Sequence, residues 1–347
     1  MSKAYWKCHA AEPQHDALSV ISTIINILCL VLNCAMLVFV FLLNGRPRFF
    51  LVHLRALTAA VVIFCFIKIF HYVIPSRIIN ADLTIAPILC HLWTSRYIFF
   101  VAYTFVMLIL NFIVGNRAIQ IVWKYQYSFS TSLLSELASV SVICGISIIS
   151  MIPQTFIVQW DGTQCKCLDT SLPYGKLVSL YTQTFVHFGL TVVFSFINLS
   201  LSCYKIFYWV RHTPPEQLSD TWNILALPGT TKEQMEAFSR PQGWMTATLC
   251  TVPLSVNFLT LNIIKTWHTF VCALGLCTII INSPIVRVGV LLSDLQLVIL
   301  PTIFAIYLPA LRDLSVRVCQ KLSSLSRRLC NLPCKSASTE QQPIQNQ

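Results

Sequence analysis

Seven stretches of this chain are long and apolar enough to cross a bilayer, and they leave little sequence for anything else. A spanning helix needs about 20 mostly apolar residues. Such runs lie at 17–43, 49–74, 88–122, 134–158 and 177–210. The stretch from Trp244 to Leu308 is apolar nearly throughout and divides at "NSPIVR" into two more, 245–278 and 285–308. Only 11% of the 347 residues are charged and 56% are hydrophobic, against about 25% and 45–50% in a soluble domain. Charge this scarce cannot solvate a soluble protein of this size. The expected fold is an all-α integral membrane bundle of seven transmembrane helices over 17–308.

The flanking segments follow from the same reading. Residues 1–16 are polar and form an N-terminal segment with no cleavable leader expected. His212 to Gly243, with Pro214, Pro215, Pro228 and Gly229, reads as a flexible loop between spans five and six. Past span seven, Leu311, Leu314, Val318, Leu322 and Leu325 recur at helical spacing between Arg312, Asp313, Arg317 and Lys321. This predicts a short amphipathic helix on the membrane surface over 309–322, followed by a tail, 323–347. Lysine and arginine resist translocation and collect in cytoplasmic loops. Arg46, Arg48, Lys124, Arg211, Lys232, Arg240 and the basic residues from Arg312 to Lys335 fall on one side. Lys3, Lys7, Arg77, Lys166, Lys176 and Arg287 fall on the other. The bias places the N-terminus outside the cell and the tail in the cytoplasm.

The net charge of +11 is accounted for by those loops, and no zinc-finger or RNA-binding motif accompanies it, so no nucleic-acid partner is expected. The fifteen cysteines form no metal-ligand array; most sit singly in apolar runs, where a thiol behaves as a small hydrophobe. No metal and no cofactor are expected. The eight histidines are scattered, whereas a membrane enzyme wants clustered His, Asp or Glu. A transporter or channel, the alternative reading, would show internal repeats or polar residues along several spans.

The ends of several spans carry a pattern. "NRAIQIVWKYQY" at 116–127 closes the third: Arg117, an apolar pair Ile121-Val122, then Tyr127. "LNCAMLVFVF" contains Asn33 in span one, and "FFLVHLRALTAA" contains Leu54 and Thr58 in span two. "LPTIFAIYLPALR" closes span seven with Pro301 and Phe304, and Leu311-Arg312 follows seven residues on. In this order the stretches resemble the signatures of the rhodopsin-like G-protein-coupled receptors. Asn116 stands where that family has an acid, Ala118 where it has tyrosine, Thr58 where it has aspartate, and Leu300 where it has asparagine. Span four lacks the family's tryptophan; span five has Phe196 in place of its proline, with Tyr204 at the family's tyrosine.

The resemblance implies a receptor in the plasma membrane that passes an extracellular signal to a heterotrimeric G protein, with arrestin engaging tail serines and membrane lipids around the spans. It implies a coupling switch made of Asn116, Arg117, Tyr204, Pro301 and Phe304. It implies a disulfide from Cys90 to the loop after span four, where Cys167 is favoured over Cys165 and Cys8 could take the one left over. The family spacing back from Arg117 reaches Leu92, two residues past Cys90. Cys319 stands where the surface helix is often palmitoylated, with Cys330 and Cys334 as further candidates. Thr58 and Leu300 remove the oxygen ligands of the family's sodium site. Phe99 replaces the aspartate of aminergic receptors, and Asp294 replaces the retinal-binding lysine of opsins, so the ligand, peptide or small molecule, is neither a typical biogenic amine nor retinal. Arg96, His268 and Asp294, with Lys265, are candidate pocket residues, since ionisable groups inside spans usually face the bundle interior; the resemblance adds Phe99 and also Trp267, at the family's helix-six tryptophan with Thr269 in place of its proline.

Overall fold

The computed structural model describes residues 4–8, 16–45, 48–73, 85–122, 133–169, 172–214, 225–240, 246–281 and 283–330. Lys124, Tyr127, Cys334 and the tail beyond Cys330 lie outside the described residues. Seven helical segments are long and apolar enough to cross a membrane: Ala17–Leu42, Phe49–His71, Ala86–Ile121, Leu133–Ile157, Tyr174–His212, Ala247–Ala273 and Pro284–Tyr307. The chain is a multi-pass membrane protein built on a helical bundle.

The pattern along span one shows how the bundle is specified. Its buried residues are Ser19, Ser22, Asn26, Cys29, Asn33, Met36 and Val40, spaced alternately three and four apart. That period of 3.5 keeps one stripe facing a neighbouring helix that crosses at a shallow left-handed angle. Val20, Ile24, Ile27, Val31, Val38 and Phe41 are exposed on the other faces. Small and polar side chains point inward and aliphatic ones outward, the reverse of a soluble helix and the arrangement lipid favours. The first half of span seven follows suit, burying Gly289, Ser293, Asp294 and Gln296, whereas its second half buries Leu297, Leu300, Pro301, Ile303 and Phe304.

Asparagines tie the spans to one another. Asn33 donates through Nδ2 to the Leu297 carbonyl, 3.0 Å away, joining spans one and seven. Asn111 donates to Ser195 Oγ at 3.0 Å, and Asn198 donates back to the Asn111 carbonyl at 3.1 Å, joining three and five. Asn257 and Asn262 reach Gln296 from span six to span seven. Gly115 permits the contact between spans three and five, because a Cβ there would stand 2.9 Å from Asn198 Oδ1.

One end of the bundle is strapped by short strands and disulfides. Strand β1 (Trp6–Lys7) pairs in parallel with β4 (Ile279–Ile280), in the connection between spans six and seven. Strands β2 (Val158–Trp160) and β3 (Cys165–Cys167) form an antiparallel hairpin between spans four and five. Asp161 shapes its turn: Oδ1 accepts from the Thr163 and Gln164 backbone N–H groups, and Lys166 pairs with Oδ2 at 2.7 Å. Those contacts, the Lys166 bond foremost, hold its carboxyl well below the usual range. Trp6 is buried and donates to the Leu168 carbonyl at 2.9 Å. Tyr5 bonds Thr184 of span five at 2.5 Å, and burial pushes its phenol up to about 12.

The disulfides differ from the favoured pairing. Cys90 bonds Cys165, and Cys167 bonds Cys8. The hairpin decides this, because residues two apart on a strand share a face but lie some 6–7 Å apart along it. Cys165 reaches span three while Cys167 reaches the N-terminal strand. A third bridge, Cys272–Cys277, closes the turn after span six. The register gap at Cys90 also has a local cause. Cys90–Thr94 is a π-helical turn, and Arg96 breaks the helix with φ 61° before Tyr97 resumes it. A π turn advances less per residue than an α-helix, so a count back from Arg117 at α-helical spacing stops short of Cys90. After span seven the surface helix runs over Pro309–Cys330, past the expected end at 322; Leu325 continues the apolar stripe, and no proline or glycine intervenes before Cys330.

Two outcomes follow. Peptide mapping without reduction should recover Cys8 linked to Cys167 and Cys90 to Cys165; a Cys90–Cys167 peptide would refute the hairpin register. The second concerns Asp16, which caps span one by accepting from Ser19 N–H and pairs bidentately with Arg287 of span seven at 2.5 and 2.6 Å. The Arg287 bond, above all, holds this carboxyl well below its usual range. A depressed carboxylate stabilises the fold above its unfolded value near 3.9 and loses that contribution as pH falls further. Asp16→Asn should therefore lower the thermal unfolding temperature at pH 7 and pH 5, with the difference shrinking below about pH 4.

Candidate functional site

Two polar centres lie inside the bundle, one toward each end. The first is built on a lysine in the apolar run of span two, "FCFIKIF". Lys68 is 5% exposed and forms an ion pair with Asp294 of span seven, itself 1% exposed. Its cost in desolvation is several kcal/mol per ion, recovered only when the partners meet closely. Lys265 of span six approaches from the other side, with its Nζ 5.8, 5.2 and 5.0 Å from the ring centroids of Phe99, Phe100 and Tyr103. Aromatic faces carry negative potential, so this cage holds an ammonium away from water.

Beside the pair a cleft opens between spans one, two, three and seven. Lys68, His71, Trp93, Arg96, Phe99 and Arg287 are among its lining residues. Arg96 reaches it from a left-handed backbone conformation, the only such non-glycine among the described residues. Strain of that kind costs about 1–3 kcal/mol and clusters at functional sites.

The expected pocket residues divide here. Arg96, Phe99 and Asp294 meet around the cleft and its buried pair. Trp267 does not: it is 53% exposed on the outer face of span six, beside Phe188 and Phe270. One helical position separates it from the inward Thr266, and a rotation of 100° turns the indole to lipid. His268 sits with the Cys272–Cys277 bridge, its Nε2 3.8 Å from Cys272 Sγ. Lys68, His71 and Arg287 complete the cleft and were not singled out from the sequence. A lone lysine in an apolar run was the available signal for the first.

The second centre surrounds Arg117. The side chain is fully buried at the end of span three, not splayed toward an interface. Its Nε donates to Thr248 Oγ1 of span six at 2.8 Å, and Nη1 donates to Gln120 at 3.2 Å. Asn116 beside it is buried, with Oδ1 lacking a hydrogen-bond partner among the described residues. Pro301 and Phe304 are buried in span seven. Tyr204 is not brought to this centre; it is 62% exposed, and Leu199, Ser202 and Ile206 hold the inner face of span five instead. Thr58 directs its hydroxyl to the carbonyls of Leu54 and Arg55. Cys319 is exposed on the surface helix.

The same end of the bundle carries chain from the connection between spans five and six. Thr246–Cys250 is buried throughout, and the segment before it folds back on this end. Asn44 and Ala226 exchange backbone hydrogen bonds of 2.8 and 2.9 Å, and Leu225 joins the core cluster with Leu43 and Leu311. A helix over Lys232–Ser239, started by a Thr231–Gln234 capping box, follows, and its Phe238 packs on the core. The expected flexible loop thus carries, over 225–240, a strand bridge and a helix that pack on this end of the bundle.

No protein-family model matches the chain, and no curated protein matches it. The site itself therefore carries the functional argument.

The ion pair makes a quantitative forecast. Removing one partner of a buried pair costs about 3–5 kcal/mol, whereas replacing both with apolar residues is often near neutral. Lys68→Met and Asp294→Leu should each lower stability strongly in detergent unfolding, and the double variant should recover most of the loss. Additive losses in the double variant would show that the two charges do not act as a pair.

Proposed function

We propose that this protein is a divergent seven-transmembrane receptor of the rhodopsin-like kind, which converts binding of an extracellular ligand into activation of a heterotrimeric G protein. The observation that carries the reading is the buried Arg117–Thr248 hydrogen bond, a polar latch between the ends of spans three and six. In this reading the strapped end, with its disulfides, faces the oxidising exterior and the Arg117 end faces the cytoplasm, in line with the lysine and arginine bias of the loops. The protein resides in the plasma membrane.

The latch holds the resting state. Asn116 offers no charge to restrain Arg117, so Thr248 of span six takes the part of a neutral partner. Ligand binding at the strapped end would favour a state in which span six moves away, Arg117 leaves Thr248, and the 225–240 segment withdraws from the Arg117 end of the bundle. The function is a shift of populations with no bond chemistry.

A transporter is the competing reading, and the buried Lys68–Asp294 pair is the observation in its favour, since intramembrane charges also mark ion and proton pathways. Uptake by proteoliposomes containing the purified protein separates the two. A ligand screen read out by G-protein activation, with Arg117→Ala as control, tests the receptor.

In the active state Arg117, released from Thr248, docks the G protein through a planar fork that lysine cannot reproduce. Arg117→Lys and Arg117→Ala should both reach the cell surface and signal less, the alanine variant by roughly tenfold or more, as expected for one lost hydrogen bond to a charged group. Thr248→Val should raise basal activity. A cysteine lock tests whether the 225–240 segment withdraws: residues that exchange both backbone bonds have Cα atoms about 5.5 Å apart, within disulfide range. Oxidised Asn44→Cys/Ala226→Cys membranes should lose nucleotide exchange and regain it with dithiothreitol. Unchanged exchange under oxidation would show that the segment need not move.

A further inference from the structure

The turn after span six brings three metal-binding side chains together, and ordinary helix geometry explains how. Residues four apart on an α-helix share a face, so His268 and Cys272 project side by side near the end of span six. The helix ends at Ala273, and Gly275 then takes a left-handed conformation with φ 87°. Gly275 N–H donates to the Cys272 carbonyl and Leu276 N–H to the Val271 carbonyl, the Schellman pattern by which glycine closes many helices. This reversal folds the chain back, so that Cys277 meets Cys272 in a bridge. The three donor atoms, one imidazole nitrogen and two sulfurs, lie within 4.8 Å of one another. Cys272 is fully buried and the other two are half-buried. Helix period and glycine turn are features of the backbone, and they keep the three donors grouped when the bridge is open.

We propose that His268, Cys272 and Cys277 form a redox-gated zinc site, shut while the two cysteines are bridged and open to Zn²⁺ when they are thiols. Zinc takes sulfur at about 2.3 Å and imidazole nitrogen at about 2.0–2.1 Å in a tetrahedron. Those bond lengths set a nitrogen and a sulfur on one zinc about 3.6 Å apart, and two sulfurs about 3.8 Å apart. His268 Nε2 already stands 3.8 Å from Cys272 Sγ. The imidazole is therefore nearly in place, and the main adjustment is that the two sulfurs part. Two thiolates and one imidazole are a set that zinc accepts, with a fourth position left for water or another donor. The chemistry balances. A dithiol reductant, by thiol–disulfide exchange, gives two electrons and two protons to the bridge and closes into its own disulfide. Zn²⁺ then takes both sulfurs as thiolates and releases those two protons. The bound metal ties the end of span six to the turn that leads into β4. The inference stands apart from the receptor reading.

Cobalt(II) is the probe, because a tetrahedral thiolate site gives it visible d–d bands and a near-ultraviolet charge-transfer band that added zinc removes. The full chain, in phosphatidylcholine nanodiscs, is titrated before and after reduction with tris(2-carboxyethyl)phosphine, which is then removed under anaerobic conditions. The reduced protein should show the tetrahedral spectrum and the oxidised protein should not. Cys272→Ser, Cys277→Ser and His268→Ala should each weaken cobalt binding at least about tenfold, since even the outer-shell partners of a metal are worth that much. Cys319→Ser and His212→Ala, both at exposed positions, should leave binding unchanged. Reduction also opens the other two bridges. Where that unfolds the chain, Cys277→His is titrated without reductant, since it frees the Cys272 thiol beside two imidazoles and spares Cys8–Cys167 and Cys90–Cys165. That variant should bind cobalt with a thiolate charge-transfer band. Equal binding by oxidised and reduced protein, or undiminished binding in the His268 or Cys277→Ser variants, would overturn the proposal. So would a folded reduced protein, or a Cys277→His protein, that shows no tetrahedral spectrum.

Discussion

Helices in lipid gain little by packing leucine against leucine, because the hydrocarbon around them is equally apolar. The bundle therefore depends on the few polar side chains that cross between spans. Asn33 reaches span seven, Asn111 and Asn198 join spans three and five, and Asn257 with Asn262 joins six to seven. Each is worth only about 1 kcal/mol in such a setting. They fix which faces meet, and the aliphatic residues fill in around them.

That scaffold sets the two polar centres at different depths with different partners. At the strapped end, the Cys90–Cys165 bridge and the Asp16–Arg287 pair anchor spans one, three and seven around the cleft. At the other end Arg117 is dry, and its bond to Thr248 is made where water does not compete. Spans three and seven run between the centres, carrying Arg96, Phe99 and Arg117 on one and Asp294, Pro301 and Phe304 on the other. The same two helices thus contribute residues to both centres.

How legible these features were depended on the range over which they are decided. Arg117 was visible because a charged residue ends an apolar run, and Asp294 because a carboxylate sits inside one. Trp267 and Tyr204 took their inward places from the receptor resemblance, and the structure turns both outward. An error of one position rotates a side chain by 100°, and the interruptions at Cys90–Thr94 and Gly189–Phe194 change that count within spans three and five. Lys68 gave a local signal, but only its meeting with Asp294, 226 residues away in sequence, gives it meaning. The ordered segment around Ala226 gave none: its prolines and glycine read as loop, and its strand bridge depends on Asn44 lying opposite.

The sequence by itself determined that seven segments are long and apolar enough to cross a membrane, because hydrophobic length and the scarcity of charge are properties of contiguous residues. It determined the amphipathic helix after span seven for the same reason, through periodicity. Tertiary structure alone decided which cysteine meets which, that Lys68 pairs with Asp294 beside a cleft it shares with Arg96 and Arg287, and that Arg117 turns inward to Thr248. Those outcomes depend on the rotation of each helix about its axis and on residues far apart in the chain. In a bundle whose apolar faces are nearly equivalent to lipid, a few long-range polar contacts set that rotation.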